Sequence, residues 1–499
     1  MSRKIFTIIT ILFITISALT AQVIYVKANA TGSNNGSSWD NAYTTLQAAL
    51  NIATPNKQIW VAAGTYKPTE KAGNGTDTRD MAFVLPRNVK IYGGFSASGN
   101  PIFADRNWET NATILSGDLD NNGSISVGDA YHVVISAGNV GTACLDGFTV
   151  SGGYANTYGV SIIVNECTID KNLGGGISIC SSSPTLNNLR INSNAAEFGG
   201  GISNTQSSAP IINNVIISGN NVTGSGGGIY NAYSSSITLT NVLISGNKSE
   251  NGGAIYSNAS SITLTNATIS GNRATSAGGA IYQYSATAIL KNTIIWNNNT
   301  AISHTGGTPT YSHCLIENAM PAGDGNIDGT ISYPKMFVAS VNHSQAPTTS
   351  GNYHLVASSP CLNVGNNDYN STTTDLAGNP RIYNEIIDLG AYECDSMPSL
   401  PSIKNIVVTD MIKVYPNPVR NTLNVESSET IEQISIYDIS GRTLLQTVSR
   451  KQTATTMGHA PLSEQSIDIS NFATGIYLVK IKTATGEIVR KIVISRLAD

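Results

Sequence analysis

The sequence predicts an all-β protein: a right-handed parallel β-helix, a single-stranded solenoid, followed by a small Ig-like β-sandwich. Three observations carry this. Between Ile177 and Ile281 the chain repeats about every 26 residues, with one isoleucine after each glycine run at Ile177, Ile202, Ile229, Ile255 and Ile281. A period of roughly 20–50 residues marks a solenoid whose units bury their apolar faces against their neighbours. Within each unit Ile, Val, Leu and Thr alternate at period two with no helical stripe, so the repeating element is strands. From Met411 the repeat is gone, charged residues return, and short strands alternate with turns such as Ser440-Gly441-Arg442 and Thr485-Gly486-Glu487, the pattern of a sandwich.

Taken from the N-terminus, Met1 to Lys4 is basic, Ile5 to Leu19 is apolar, and Ala18 to Gln22 supplies small residues for cleavage. Residues 1–21 therefore read as a secretory signal peptide. The apolar run is short for a membrane span, no Cys stands at the cleavage point for a lipid anchor, and no membrane span is expected in the mature protein. Residues 22–140 are assigned to an N-terminal cap and the first coils. Ile59 to Gly64, Val89 to Gly94 and Phe148 to Gly153 share a strand-then-glycine pattern. Thr45 to Asn51, preceded by Trp39 and Tyr43, reads as a short amphipathic helix, and an open solenoid end needs such a cap.

Residues 141–332 are the regular coils. In one turn the strands are Ile237 to Thr240, Val242 to Ser245 and Ile255-Tyr256. Alternation points Ile237 and Leu239 inward, and Ile262 and Leu264 one coil later. Val215/Ile217, Val242/Ile244 and Ala267/Ile269 form the next inward columns. One Asn column runs Asn188, Asn214, Asn241, Asn266, Asn292; a second runs Asn194, Asn220, Asn247, Asn272, Asn297. Asn tolerates the left-handed backbone of sharp corners, and stacked Asn side chains hydrogen-bond up a column. Paired glycines turn the chain where a Cβ would clash. The crossover rule makes the helix right-handed.

Residues 333–394 read as the C-terminal cap of the β-helix, and 395–410, with Pro398, Pro401 and three serines, as a linker. Residues 411–499 form the last domain. Charged residues make up 12% of the chain and the net charge is −4, about half the usual charged share and no footprint for nucleic acid. Six cysteines in an exported chain permit disulfides. Cys361 and Cys394 flank one compact stretch and are the expected pair. Cys144, Cys167, Cys180 and Cys314 read as core-facing thiols.

Two resemblances follow from motifs. Val414-Tyr415-Pro416-Asn417-Pro418, Leu423 to Val425, Ile434 to Asp438, Gly441-Arg442, Ile467 to Ile469, Gly475 to Val479 and Lys491 to Ile494 resemble the C-terminal sorting domain of the Bacteroidetes type IX secretion system. The tail Ser495 to Asp499 runs past the usual end of that pattern. The resemblance implies handling by the type IX machinery through residues 411–499, removal of the domain, and an extracellular or outer-membrane-surface location. Tyr25 to Gly32, Ser38-Trp39, Ala42-Tyr43, Leu46-Gln47 and Val61 to Tyr66 resemble the start of pectin-lyase-like β-helix surface proteins. Ser359-Pro360, Asp375 to Arg381 and Asp388 to Glu393 resemble their C-terminal cap, and the Gly-Gly-Ala-Ile repeats are similar to those of bacterial polymorphic outer-membrane adhesins. That fold hosts many activities, so it implies architecture more than function.

Chemistry is thinly represented in the coils. A lyase on this fold needs a cation-binding carboxylate cluster and a base; a hydrolase needs facing carboxylates. Between Cys144 and Asn299 the acidic residues are Asp146, Glu166, Asp170, Glu197 and Glu250. Glu197 and Glu250 share a column two coils apart with Thr223 between them, about 9.6 Å at sheet spacing, and are the catalytic candidates against the alternative of a solvated turn. Lys248 and Arg273 stack nearby. The six histidines show no metal-ligand spacing.

Two further features invite ligands. Asp118, Asp120, Asn122, Ser124, Ser126 and Asp129 match a twelve-residue calcium loop, with Gly123 at its sharp turn and Ile125 placed to anchor it to the core. Calcium is its expected ion, the alternative is a polar turn between coils, and no organic cofactor is expected. Tyr230, Tyr256 and Tyr282 repeat at coil spacing just after an inward Ile, so alternation puts them outside as an aromatic strip. Such a strip binds sugar faces or only stacks on itself. The leading functional expectation is a non-catalytic adhesive or glycan-binding surface whose partner is extracellular polysaccharide. The alternative is a polysaccharide lyase or glycoside hydrolase.

Overall fold

The computed structural model describes residues 22–333, 335–394, 412–427, 430–438, 442–448, 463–483 and 487–496. The expected signal peptide and linker lie outside the described residues. The chain divides into two compact units, Met1–Ser396 and Met397–Asp499.

The first unit is a parallel β-helix whose coils build sheets of fourteen, eight and five strands. The isoleucine column is in register from Ile177 through Ile202, Ile229, Ile255 and Ile281 to Ile302. Ile237, Leu239, Ile262, Leu264, Val242, Ile244 and Ile269 are all sealed in the core, each contributing roughly 1.5–3 kcal/mol by leaving water.

The two Asn columns do different work. Asn188, Asn214, Asn241, Asn266 and Asn292 take φ between 47° and 58°, the left-handed conformation that Asn adopts more readily than most residues. They bend long strands such as Ser236–Ser245 and Ser261–Ser270 so that one strand covers two faces of the coil. The second column is buried. Asn194, Asn220, Asn247 and Asn272 each donate Nδ2 to the next residue's Oδ1 at 2.9–3.1 Å. Their backbone N–H groups donate to the same oxygens at 2.9–3.0 Å. The last rung is Asn298, not Asn297 as the spacing suggested. Asn297 takes a left-handed corner at φ 60° with its N–H on Glu317, which moves the rung one residue along.

The helix Leu46–Ile52 covers the first coil. Thr45 caps it by accepting the Ala48 N–H, and Leu46, Ala49 and Leu50 face the core. Residues 335–394 run along the outer flank of the coils. Leu243, Ile294 and Leu315 are buried there against Met336, Phe337, Tyr353, Leu355 and Leu389. Backbone bonds from Thr348 to Gly246 and from Gly390 to Asn292 pin the segment down. Arg381 is buried within it, 3.3 Å from Glu393, and burial raises the Glu393 carboxyl to about 7.

The disulfide joins Cys167 to Cys180, and the expected Cys361–Cys394 pairing is corrected. The hairpin Ser161–Val164/Cys167–Asp170 folds back beside Ile177–Cys180 and brings those two sulfurs together. Cys361 and Cys394 share a buried cluster without a disulfide between them: Cys361 Sγ is 3.5 Å from Met336 Sδ and Cys394 Sγ is 3.5 Å from the Leu355 carbonyl.

The second unit is a β-sandwich. A three-stranded antiparallel sheet (Ile412–Tyr415, Thr422–Ser427, Ser463–Asp468) and a four-stranded one (Ile431–Asp438, Thr443–Val448, Gly475–Thr483, Glu487–Ile494) enclose Leu423, Val425, Ile434, Ile436, Val479 and Ile492. Period-two alternation places these residues on the inner faces.

Candidate functional site

The loop from Asp118 to Asp129 connects the strands Thr113–Ser116 and Val134–Ala137. Its side chains fold inward onto its own backbone. Asp118 accepts the N–H groups of Asn122 at 3.1 Å and Gly123 at 3.3 Å. Asn122 Oδ1 accepts the Ser124 N–H at 2.7 Å, and the Ser126 hydroxyl donates to Asp120 at 2.8 Å. Gly123, at φ 70°, makes the turn that a side chain would strain. Carboxylate oxygens of Asp118, Asp120 and Asp129 lie within 4.8 Å of one another.

Electrostatics across this group are uneven. Burial pushes the Asp129 carboxyl up to about 6, with Asp120 and Asp118 adding repulsion and the Ser126 N–H opposing it. Burial also raises Asp118, but the N–H groups of Gly123 and Asn122 and the nearby Lys67 outweigh it and hold it below the usual range. Lys67 Nζ sits 3.5 Å from Asp118 Oδ2 and donates to Asn121 Oδ1 at 2.6 Å. Ile125 does not anchor the loop: it is 39% exposed, and Val127 is 74% exposed.

The tyrosine column is a continuous ladder. Tyr230, Tyr256 and Tyr282 stack at 5.4 Å with ring planes within 2° of parallel, and Phe198 extends the row at 5.4 Å with a tilted ring. The rings therefore occupy one another's faces; Tyr230, expected outside, is buried with Leu173 and Ala232 under Phe198, and only Tyr256 and Tyr282 are partly exposed. Tyr233 and Tyr284, in the same coils, are about half exposed.

The register keeps Glu197 and Glu250 two coils apart with Thr223 between, since Ala196 pairs with Val222 and Lys248 pairs with both Asn221 and Arg273. Glu197 accepts from Asn172 Nδ2 at 3.0 Å, and Glu250 is exposed.

A charged cluster beside the loop carries no signal in the sequence. Lys171 pairs with buried Asp80 at 2.7 Å. Arg79 lies 3.9 Å over the Tyr131 ring and donates to the Asp129 carbonyl at 2.7 Å and the Tyr154 carbonyl at 2.6 Å. His132 is buried with Nδ1 on the Gly174 carbonyl, and burial lowers it to about 4. Partners separated by 42 to 91 positions leave no spacing to read. A cleft of about 520 Å³ also opens by the cap helix, lined by Gln47, Asn51, Glu70, Lys71 and Arg87.

Comparison with known proteins divides along the same boundary. Residues 413–495 match the secretion system C-terminal sorting domain, and residues 212–334 match the right-handed β-helix region. Beta-agarase D of Zobellia galactanivorans is 36% identical over 88 residues, which is 17% of this chain and only 16% of that protein's length. The solved structure of pectate lyase Pel9A aligns over 75% of this chain and 97% of its own, at 15% identity and a TM-score of 0.38. Among the described residues no helix is long and apolar enough to cross a membrane. The parallel coils and the two family matches together identify the chain as an exported right-handed parallel β-helix protein that carries a secretion-system sorting domain.

Proposed function

We propose that the β-helix is a non-catalytic adhesive or glycan-binding surface, handled by type IX secretion machinery through residues 411–499 and delivered outside the cell or to its outer-membrane surface. The observation that carries this reading is the repeating polar and aromatic side chain set on the coils. Tyr256 and Tyr282 stand in register, exposed Tyr284 lies in the coil of Tyr282, and exposed Tyr233 lies one coil before Tyr256. Thr238 pairs with Thr263 one coil on. Hydroxyls and ring edges recurring at coil spacing suit a polymer that also repeats. Glu197 is tied to Asn172, and Glu250 is exposed two coils away beyond Thr223, a spacing of about 9.6 Å at sheet separation that stands at the outer edge of what an inverting carboxylate pair uses.

The exported protein, applied to a glycan array, is expected to retain at least one polysaccharide. A Tyr233→Ala/Tyr284→Ala variant should weaken that retention by roughly five- to thirty-fold, the effect of losing aromatic contacts at an interface. Tyr256→Ala should weaken it less, because its ring faces are taken by neighbours. Unchanged retention in both variants would remove the tyrosines from the binding surface. Failure to retain any glycan would overturn the glycan-binding form of the reading.

A further inference from the structure

We propose that the loop from Asp118 to Asp129 binds one calcium ion through the side chains of Asp118, Asp120, Asn122, Ser126 and Asp129 and the Ser124 carbonyl.

The donor set is oxygen only, which suits a hard divalent cation, and up to six ligands on a flexible loop favour calcium over the smaller, strictly octahedral magnesium. The three carboxylates offer oxygens within 4.8 Å of one another. Two oxygens on a sphere of calcium–ligand radius, roughly 2.3–2.6 Å, lie no farther apart than about 4.6–5.2 Å, a limit that each pair among the three carboxylates meets.

An independent observation points the same way. Asp129 is fully buried, and its Oδ1 has no hydrogen-bond partner while Oδ2 takes the Ser126 N–H. A buried carboxylate oxygen without a partner is costly and calls for a ligand. Neighbouring cations do not supply one: Lys67 pairs with Asp118, and Arg79 reaches Asp129 only at its backbone carbonyl.

The ion would act as a clamp. Asp129 is tied through its carbonyl to Arg79, Tyr131 N–H bonds the Arg79 carbonyl, and Ala130 N–H bonds Gly117. Fixing Asp129 therefore fixes the segment around Arg79 against the coil, and leaves the regular coils untouched.

The test is calorimetric titration of the full exported chain, stripped with chelator, with calcium and separately with magnesium, alongside thermal melting. One calcium per chain is expected, with magnesium at least ten-fold weaker. Melting should rise by several degrees at saturating calcium, because an ion that binds only the folded state stabilises it by mass action. Asp118→Asn and Asp120→Asn, both at the solvent side of the loop, should each lower calcium affinity at least ten-fold, with circular dichroism unchanged. Asp129→Asn should do the same or more; if it fails to fold, the other two variants decide. Absence of calcium binding in the wild type would overturn the site. So would undiminished binding in a folded Asp118→Asn/Asp120→Asn double variant.

Discussion

From Ile177 to Asn298 the buried polar groups are uncharged and repeat; from Lys67 to Lys171 they include the charged Asp80, Asp129, Asp146 and Lys171 and do not repeat. In the regular coils each interior Asn amide supplies a donor and an acceptor, so one solution is copied coil after coil at 2.9–3.1 Å. The N-terminal third interrupts the repeat with insertions and meets each buried polar group separately: Lys171 with Asp80, Arg79 over Tyr131, Arg106 with Asp146, and a disulfide at Cys167–Cys180. Repetition can satisfy polarity without charge, whereas single insertions bury ions that must be paired. The candidate ion site and the buried histidine both fall in the irregular third, while the aromatic ladder belongs to the coils.

The sharpest way to break this contrast is to remove one partner from each region. Lys171→Met leaves Asp80 buried without its cation and should cost about 3–5 kcal/mol, as halved buried pairs do. Asn247→Ala removes the acceptor for two N–H groups of Asn220 and the donor to Ile217 and Asn272. At about 1–3 kcal/mol for a buried group left unmade, it should cost about 3 kcal/mol. Denaturant titration measures both. An Asn247→Ala cost under about 1 kcal/mol would mean the ladder is a by-product of the coil rather than one of its supports.

The pH response should sharpen the contrast, since His132 lies in the irregular third. Its folded value, about 4, lies below the ordinary 6.5. The unfolded chain therefore binds a proton that the folded chain does not, in the window between those values. Its contribution is present above pH 6.5 and lost as pH falls towards 4, by about 3 kcal/mol. Glu393, raised to about 7, acts in the opposite sense, losing its contribution as pH rises towards 7. The informative quantity is thus the wild-type stability profile minus that of His132→Asn; a flat difference between pH 4 and 6.5 would contradict the assignment.

Smaller effects are expected on the coil surface. Tyr256→Ala should cost about 1–2 kcal/mol for its two stacked contacts. That is less than Ile255→Ala, at about 2–5 kcal/mol for a core cavity. Glu250→Gln should change stability by no more than about 0.5 kcal/mol.

The same division explains how much was legible in the sequence. Ile177 to Ile281, the inward columns and the Asn corners were readable because every coil repeats the same local solution, and a repeat is visible in one chain. The Asn297/Asn298 offset escaped because one corner residue shifts a rung without breaking the pattern. Cys167 and Cys180 escaped because their meeting depends on a hairpin that no coil repeats. Ile125, expected inside, lies outside because the loop packs on its own backbone. The Asp118–Asp129 loop was visible through its local spacing, whereas Arg79 and Lys171, which come to it from distant coils, were not. The tyrosine positions were legible, but their face-to-face stacking depends on ring orientation, which spacing leaves open.

The central claim, a coil surface that holds glycan without cutting it, is tested most directly by incubating the exported protein with a polysaccharide panel in the presence of calcium. New reducing ends and unsaturated ends are measured beside retained protein. The expected result is retention with no new chain ends, unchanged in Glu197→Gln and Glu250→Gln. New ends produced by the wild type and abolished in a folded Glu250→Gln variant would contradict the claim and make the coils a polysaccharide lyase or glycoside hydrolase.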